Sequence, residues 1–437
     1  MIRMTKAACY GTIILLTVVT VSGCMQTKND DPEDLRELAG NITILVPEFR
    51  GGNQAELYPH LYKQQVEALL VKPFQEQYPH VQFSFVTYDR YAQTDDSFVE
   101  LVEYEKPDVI MMDERQFQLM IASDKLLPLK NKQPLDIHPA VLQYLEVLGQ
   151  GEVYGLTPLF DTNVLYYNKQ LFDRYQVPYP QESGMTWQEL FDLAGILHAK
   201  SGEQSPVYGL YQAPYGALPG GELFNLVSKS IGVDTIASPV NEEANRMLAT
   251  IVQGYVDGSI APPARSIPPG LPVVLGDLGT IKQKTAMTVE GKDFLAQRLE
   301  FDRSDTASEW GIAKLPAGSG EIEPDTIVGI NGQTEQGQAA WEFVRFIHRP
   351  ETIRSLAASE NDILLSSVPP YQETAKGIAL APFFGEGKDG GAIMDQNPLQ
   401  REQWNREFTE VVRYGLDNKL SEDEIVRNLR DAWSKID

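Results

Sequence analysis

Apolar and polar residues follow two rhythms in the first quarter of the chain. Residues 42–46 (ITILV) form a short β-rich apolar run, and residues 81–87 (VQFSFVT) alternate as a half-buried strand does. The apolar residues between these two segments recur at helical spacing, at Val66, Leu69, Leu70 and Phe74. A further helical stretch leads into a buried-strand run at residues 107–112 (PDVIMM). The order strand, helix, strand, helix, strand predicts an open α/β sheet.

Later segments carry equally strong helix signals. Thr186 is predicted to be the N-cap of a helix, with Glu189 three residues on completing a capping box. Residues 339–348 and 424–436 are strongly amphipathic, and Trp433 falls on the apolar face of the second of these helices. We therefore predict that Trp433 lies in the core.

Length and composition limit the class of protein. The chain has 437 residues, enough for two domains, with 42% hydrophobic and 22% charged residues. These values exclude a wholly disordered chain and a membrane protein with several spans. The net charge is −24, so the surface repels phosphate backbones and nucleic acid is not expected as a partner.

The N-terminus has the pattern of an export signal. Arg3 and Lys6 precede an apolar run at residues 11–21, and the segment ends Val-Ser-Gly-Cys at Cys24. This ending resembles the bacterial lipobox, which predicts a signal peptide over residues 1–23 and a lipid on Cys24. The alternative is an uncleaved anchor with an incidental cysteine. Residues 24–40 are polar and acidic, and we expect the lipidated cysteine to be followed by a flexible tether.

Motifs for chemistry are scarce in the rest of the chain. Both cysteines lie in the first 24 residues, so no disulfide or cysteine metal cluster is expected in the folded body. The histidines form no HExxH motif or close pair, and no GxSxG elbow or Walker loop is present. Residues 385–390 match GxGxxG without a surrounding βαβ pattern, which favours a loop. We therefore expect no metal and no cofactor, whereas an Asp/Glu pair for glycoside hydrolysis stays open.

Several phrases resemble, in order and spacing, one family: the extracellular solute-binding proteins of bacterial ABC importers, in their maltose-binding-like group. The matching phrases are residues 74–79 (FQEQYP), 107–110 (PDVI), 126–129 (LLPL), 151–158 (GEVYGLTP), 165–172 (LYYNKQLF), 186–187 (TW), 284–291 (KTAMTVEG), 310–316 (WGIAKLP) and 340–343 (AWEF). The resemblance implies an α/β fold of type II with two lobes, joined by hinge-crossing strands. Lobe 1 would comprise residues 41–158 and 326–366, and lobe 2 residues 159–325 and 367–437.

The resemblance also implies a function without catalysis. The protein would capture a small extracellular solute, a sugar or oligosaccharide, between its lobes and deliver it to an ABC permease in the membrane. It would act as a monomer held outside the cytoplasm by the lipid on Cys24. Two alternatives use the same sequence features: a ligand-sensing subunit for a membrane histidine kinase, and a cell-surface carbohydrate-active enzyme.

Candidate ligand-binding residues come from the loops that follow strands, because open α/β sheets bind ligands outside the carboxyl ends of their strands. After the first and third strands these are Phe49, Arg50, Asp113, Glu114 and Arg115. The other candidates, placed by the resemblance, are Asp161, Tyr215 and Trp404. Aromatic rings could stack on a sugar face, and the polar side chains could bond to hydroxyl groups.

One departure from the family concerns the strand at residues 284–291. Family members often carry G-x-W or G-P-W there, with a tryptophan that stacks on sugar, whereas this chain has Gly291-Lys292-Asp293. We therefore add Glu290 and Lys292 as candidates. A charged ligand, such as an acidic sugar, a peptide or a polyamine, becomes more plausible on this ground.

Overall fold

The computed structural model describes the greater part of the chain from residue 38 onward. The described residues are 38–48, 62–89, 94–129, 136–181, 184–203, 206–211, 221–230, 242–263, 284–292, 294–295, 310–316, 322–357, 365–369, 371–375, 378–384 and 398–435. Cys24, Phe49, Arg50 and Tyr215 lie outside these residues, as does the glycine-rich segment 385–390.

Strands and helices alternate along these residues. The strands are β1 (Gly40–Pro47), β2 (Val81–Tyr88), β3 (Val109–Met112), β4 (Gly155–Leu156), β5 (Phe160–Thr162), β6 (Val164–Asn168), β7 (Tyr208–Tyr211), β8 (Thr285–Glu290), β9 (Trp310–Ala313), β10 (Ile322–Pro324), β11 (Ile327–Ile330), β12 (Thr374–Ala375) and β13 (Ile378–Ala379). The α-helices are Lys63–Gln65, Lys72–Gln77, Asp95–Glu105, Glu114–Ala122, Pro139–Leu148, Lys169–Tyr175, Trp187–Ser201, Gly221–Ser230, Glu242–Asp257, Gly337–Ile347, Pro350–Ala357, Pro398–Asp417 and Glu422–Trp433. A π-helical stretch, Val66–Val71, joins the first two helices, and Ala381–Phe383 is a 3-10 turn.

The first sheet has five strands in the order β2-β1-β3-β11-β4. Strand β1 runs parallel to β2 and β3, and β11 enters antiparallel between β3 and β4. The central strands β3 and β11 are buried along their whole length, whereas β2 alternates at the edge. The predicted succession of three strands and two helices is confirmed, because its apolar periods match the buried faces.

The first sheet begins slightly earlier than the sequence pattern predicted. Leu38 is buried in the core of this sheet, and β1 starts at Gly40. The predicted tether over residues 24–40 is therefore too long at its C-terminal end, because an apolar side chain in an otherwise polar segment finds a buried site.

The second sheet has four strands in the order β7-β8-β6-β9. Strand β6 pairs antiparallel with both β8 and β9, and β7 runs parallel to β8. Helices Gly221–Ser230, Glu242–Asp257 and Glu422–Trp433 contribute to a second core, in which Trp433 is buried as predicted. The capping box of helix Trp187–Ser201, with Thr186 and Glu189, is also confirmed.

Among the residues described above, the chain passes between the two sheets at three places. Strand β5 lies between β4 of the first sheet and β6 of the second, and β10 lies between β9 and β11. The two crossing strands pair antiparallel, with Asp161 opposite Glu323. A third passage follows the helices after β11, where Ser366 bridges to Leu159. The α/β architecture with crossing strands is thus present. None of the helices in the described part of the chain is long and apolar enough to cross a membrane.

Candidate functional site

The carboxyl ends of β1, β2 and β3 lie side by side, and polar side chains follow them. Glu48 comes directly after β1, and its backbone N–H donates to the carbonyl oxygen of Tyr88 at 2.8 Å. The Thr87 hydroxyl donates to Glu48 Oε2 at 3.0 Å, which holds this carboxylate at the sheet edge. Glu48 was not among the sequence candidates, although it adjoins Phe49 and Arg50, which were.

Asp113 caps the helix that follows β3. Its Oδ1 accepts from the backbone N–H of Gln116 at 2.8 Å, and the Gln116 side chain accepts from the Asp113 N–H at 3.0 Å. This reciprocal pair is a capping box, which satisfies two backbone donors at the start of Glu114–Ala122. The carboxylate predicted to contact ligand therefore has a structural role through one oxygen.

Glu114 and Arg115 are occupied by neighbouring helices. The Tyr144 hydroxyl donates to Glu114 Oε2 at 2.6 Å, and Gln118 donates to Oε1 at 3.2 Å. Arg115 makes an ion pair with Asp95 at 2.9 Å, with about half of each side chain exposed. The guanidinium of Arg115 links the starts of two helices on the surface, and its ligand role stays a prediction.

Asp161 and Lys292, which lie far apart in sequence, meet at the crossing strands. Asp161 is the middle residue of β5, and both of its carboxylate oxygens accept from the backbone N–H of Lys292, at 2.8 and 3.0 Å. Lys292 follows β8 of the second sheet, one residue after Gly291. The two candidates are therefore brought together at the junction of the sheets.

The ammonium group of Lys292 is not available to a ligand as a free cation. Its Nζ donates to Asp325 Oδ2 at 2.7 Å and to the carbonyl oxygen of Phe160 at 3.4 Å. Lys292 and Asp325 are 2% and 8% exposed. The expectation that the departure at Lys292 favours a ligand with a charged group therefore loses its basis, because Asp325 already neutralises this lysine.

Glu290 ends β8 close to this pair. Its side chain is 8% exposed, and the Thr288 hydroxyl donates to its Oε1 at 3.4 Å. Glu290 thus places a carboxylate at the end of a second-sheet strand and Asp161 one on a crossing strand, while Glu48 lies at the edge of the first sheet. Carboxylates are good acceptors for the hydroxyl groups of a polyol.

Trp404 is placed differently from the prediction. It is fully buried in the second core, with ring centroids 4.9 Å from Trp433 and 5.5 Å from Phe408. The predicted role of a sugar-stacking residue is therefore corrected to one of core packing. Trp404, Phe408 and Val412 recur every four residues on helix Pro398–Asp417, and all three are fully buried. This apolar stripe was the sequence signal that could have identified the core position.

An aromatic group lies beside the third passage between the sheets. The backbone N–H of His138 donates to the carbonyl oxygen of Ser367 at 2.7 Å. The His138 ring lies 5.3 Å from Tyr371 and 5.7 Å from Phe384, measured between centroids. Partial burial lowers the pKa of His138 below its ordinary value. The His138 ring thus packs as an aromatic side chain beside the third passage.

The described residues offer binding chemistry. Within the described segments, no group of three or more His, Cys, Asp or Glu side chains could hold a metal ion. Glu48 after β1, Asp161 on β5 and Glu290 at the end of β8 carry hydrogen-bond acceptors near the crossing strands.

Comparison with known proteins agrees with this architecture. The sequence profile of the family described as bacterial extracellular solute-binding protein matches residues 61–352. That span contains strands of both sheets and both paired crossing strands.

Solved structures with the same fold cover nearly the whole chain. An extracellular solute-binding protein of family 1 from Alicyclobacillus acidocaldarius has 16% identity and a TM-score of 0.66, covering 91% of this chain and 98% of its own. The sugar-binding protein MalE from Xanthomonas citri has 18% identity and a TM-score of 0.62, covering 91% and 97%. The cyclic α-maltosyl-1,6-maltose binding protein from Arthrobacter globiformis has 15% identity and a TM-score of 0.59, covering 91% and 99%. At these identities the likeness establishes the fold, the predicted two-lobe α/β type.

Proposed function

This chain belongs to the family of bacterial extracellular solute-binding proteins, and from that premise we propose that it captures a sugar or oligosaccharide and delivers it to an ABC permease. The observation that carries this proposal is the pair of sheets joined by the paired crossing strands β5 and β10, with carboxylates after β1, on β5 and at the end of β8. The lobes would comprise residues 41–158 with 326–366 and residues 159–325 with 367–437. Closure of the lobes about the crossing strands would enclose the solute.

The solute class follows from the side chains at the junction. Two of the similar structures are named as a sugar-binding and a maltosyl-maltose-binding protein, which makes a sugar the first candidate. Glu48, Asp161 and Glu290 would accept hydrogen bonds from hydroxyl groups and would repel a carboxylate. Because Lys292 is paired with Asp325, a neutral oligosaccharide is preferred over an acidic sugar.

A thermal-shift screen tests the proposal. The purified protein would be heated with neutral oligosaccharides, sugar acids, polyamines and short peptides in parallel. A bound solute stabilises the folded state by RT ln(1 + [L]/Kd), about 2.7 kcal/mol at a concentration 100-fold above Kd. We expect a neutral oligosaccharide to raise the melting temperature. If only sugar acids do so, the solute class is wrong, and if no solute does so, the binding function is contradicted.

We also propose that the protein is a lipoprotein, cleaved before Cys24 and anchored outside the cytoplasm to the cell membrane by a lipid. The lipid would keep the binding protein close to its permease and so raise its effective concentration there. Replacing Cys24→Ala should prevent labelling with radioactive palmitate, while Cys9→Ala should leave it unchanged. Labelling that persists in the Cys24 variant would rule out this anchor.

Co-purification from membranes separates the permease from the sensor alternative. The tethered protein would be cross-linked in intact cells and its partners identified by mass spectrometry. Recovery of permease subunits supports delivery of the solute, whereas recovery of a histidine kinase in their place would support the sensor function.

A further inference from the structure

The segment after β8 is fixed to both crossing strands by contacts from a single residue, Lys292. The backbone N–H of Lys292 donates to the Asp161 carboxylate of β5. Its ammonium group donates to Asp325, which lies between β10 and β11. Lys292 therefore reaches one crossing strand through its backbone and the end of the other through its side chain.

The two residues of the ion pair lie on segments that connect to different sheets. Lys292 follows β8, which pairs with β6 and β7 in the second sheet. Asp325 lies two residues before β11, which is bonded to β3 and β4 inside the first sheet. The backbone N–H of Asp325 also donates to the Leu159 carbonyl oxygen of the other crossing at 3.2 Å. The ion pair thus spans from one sheet to the entry of the other.

The surroundings of Lys292 leave little freedom. The Tyr166 hydroxyl donates to the carbonyl oxygen of Gly291 at 2.9 Å, which fixes the preceding peptide group. A Cβ at Gly291 would lie 2.3 Å from Asp161 Oδ2, so only glycine allows this close approach. The loop is held at its backbone and its side chain, and the ion pair is buried.

We propose that Lys292 is a positioning residue whose ion pair with Asp325, the residue at which the chain leaves lobe 2 for lobe 1, sets the resting distance between the lobes. This proposal rests on the proposed function: Lys292 would change the affinity for the solute by changing how the two lobes are held at the hinge. A contact that differs between open and closed lobes shifts their populations, and the apparent Kd rises as the binding-competent fraction falls. Removal of the Lys292 ammonium group leaves the buried Asp325 carboxylate without a counter-ion. The hinge would loosen because Asp325 gains solvation by moving toward solvent.

Distance measurement between two spin labels tests this directly. Tyr104 near the first sheet and Tyr414 on a helix of the second core are 83% and 61% exposed, so Tyr104→Cys and Tyr414→Cys provide label sites. Cys9→Ser and Cys24→Ser in the full chain keep labels off the native thiols. We expect Lys292→Met to broaden the distance distribution and displace its mean.

Two further variants separate the hinge from general stability. Lys292→Met with Asp325→Asn removes the ion pair without leaving a buried charge, and we expect it to broaden the distribution in a folded protein. Lys125→Met is the control for the loss of a lysine ion pair, because Lys125 pairs with Glu103 at 2.7 Å and both residues lie in lobe 1. Its distribution should equal that of the parent chain.

Binding of maltotriose, taken as the probe, supplies the second readout. We expect its apparent Kd to rise about tenfold in the Lys292 variants, the size of a typical coupling between sites. A folded double variant with an unchanged distance distribution overturns the proposal, as does a broadened distribution with unchanged affinity. If maltotriose does not bind the parent chain, the choice of sugar is at fault, and the distance measurement still decides the role of Lys292.

Discussion

Trp404 lies at the centre of an aromatic group that holds the second core together. Its ring contacts Phe408 and Trp433, and its centroid is 6.2 Å from that of Phe224. The indole N–H has no hydrogen-bond partner among the described residues. A buried donor without a partner costs about 1–3 kcal/mol, so the ring stabilises the fold through its apolar surface alone.

Two substitutions at Trp404 should therefore have unequal effects. Trp404→Ala leaves a large cavity and should lower the free energy of unfolding by about 3–5 kcal/mol. Trp404→Phe keeps an aromatic ring and removes the unpaired N–H, so we expect a much smaller loss. Urea unfolding followed by circular dichroism measures both. Equal stability of the alanine variant and the parent protein would contradict the core position.

His348 is a second residue with a measurable effect, through protonation. It is fully buried, and its Nδ1 lies 2.8 Å from the carbonyl oxygen of Val344. Burial lowers the pKa of His348 from its ordinary 6.5 to about 4. Between these two values the unfolded state binds more protons than the folded state, so the free energy of unfolding falls as the pH falls.

We predict that this histidine destabilises the protein in mild acid. From pH 8 to pH 5 the free energy of unfolding should fall by about 2 kcal/mol more in the parent chain than in His348→Leu. Urea titrations at the two pH values give the change in the free energy of unfolding for each protein. Subtracting the change in the variant from that in the parent chain removes the effect of the carboxylates, which both proteins share. His80→Gln at an exposed site is the control and should keep the parental profile. Identical pH dependence in all three proteins would contradict the neutral, buried state.

At the scale of single elements, helix Trp187–Ser201 illustrates how a start signal works. The Thr186 side chain accepts from the backbone N–H of Glu189 at 3.2 Å, and Glu189 accepts from the Thr186 N–H at 2.7 Å. The hydrogen bonds that the Glu189 carboxylate accepts from the backbone N–H and the hydroxyl of Thr186 lower the pKa of this carboxyl below its ordinary value. The extended chain becomes helical at this cap. The cap also provides acceptors for backbone N–H groups of the first turn, which have no partner inside the helix.

Removing this cap should be costlier than removing a threonine inside a helix. Thr186→Ala should lower the free energy of unfolding by about 1 kcal/mol. Thr250→Ala is the matched control, since its hydroxyl donates back to the Arg246 carbonyl inside helix Glu242–Asp257. Alanine has the higher helix propensity there, so we expect no loss. Chemical unfolding of both variants measures the two changes in the free energy of unfolding. Equal losses in the two variants would contradict the prediction.

At the scale of the whole molecule, the net charge affects the stability of the folded state. A net charge of −24 produces self-repulsion that destabilises the compact state. Raising the ionic strength from 0.01 M to 0.15 M shortens the Debye length from about 30 Å to about 8 Å. We predict that the melting temperature rises over this range of sodium chloride. The variant Glu105→Gln with Glu146→Gln, at two exposed positions, should gain less. A falling melting temperature would show that favourable ion pairs outweigh the repulsion.

The parts of the fold that sequence predicted are those determined by local spacing. Residues 42–46 and 81–87 predicted β1 and β2, because the period of a strand is set by its own side chains. The partner of Lys292 could not be predicted in this way, since Asp325 lies in another segment and the pairing depends on the crossing of β5 and β10. The prediction that Trp404 contacts the ligand was wrong because it relied on the resemblance to the family and not on the apolar stripe of its own helix.

Strand β11 has a consequence for the order in which the chain can fold. It lies between β3 and β4, and it comes more than 150 residues after both in sequence. During synthesis of the chain, β4 has no neighbouring strand in the first sheet until β11 has been made. The first sheet is therefore completed late, by pairing between strands that are far apart in sequence. Segments of the second sheet, β6 to β9, emerge entirely before that event. We expect a chain truncated before Ile327 to leave β3 with an open edge, a surface that invites aggregation.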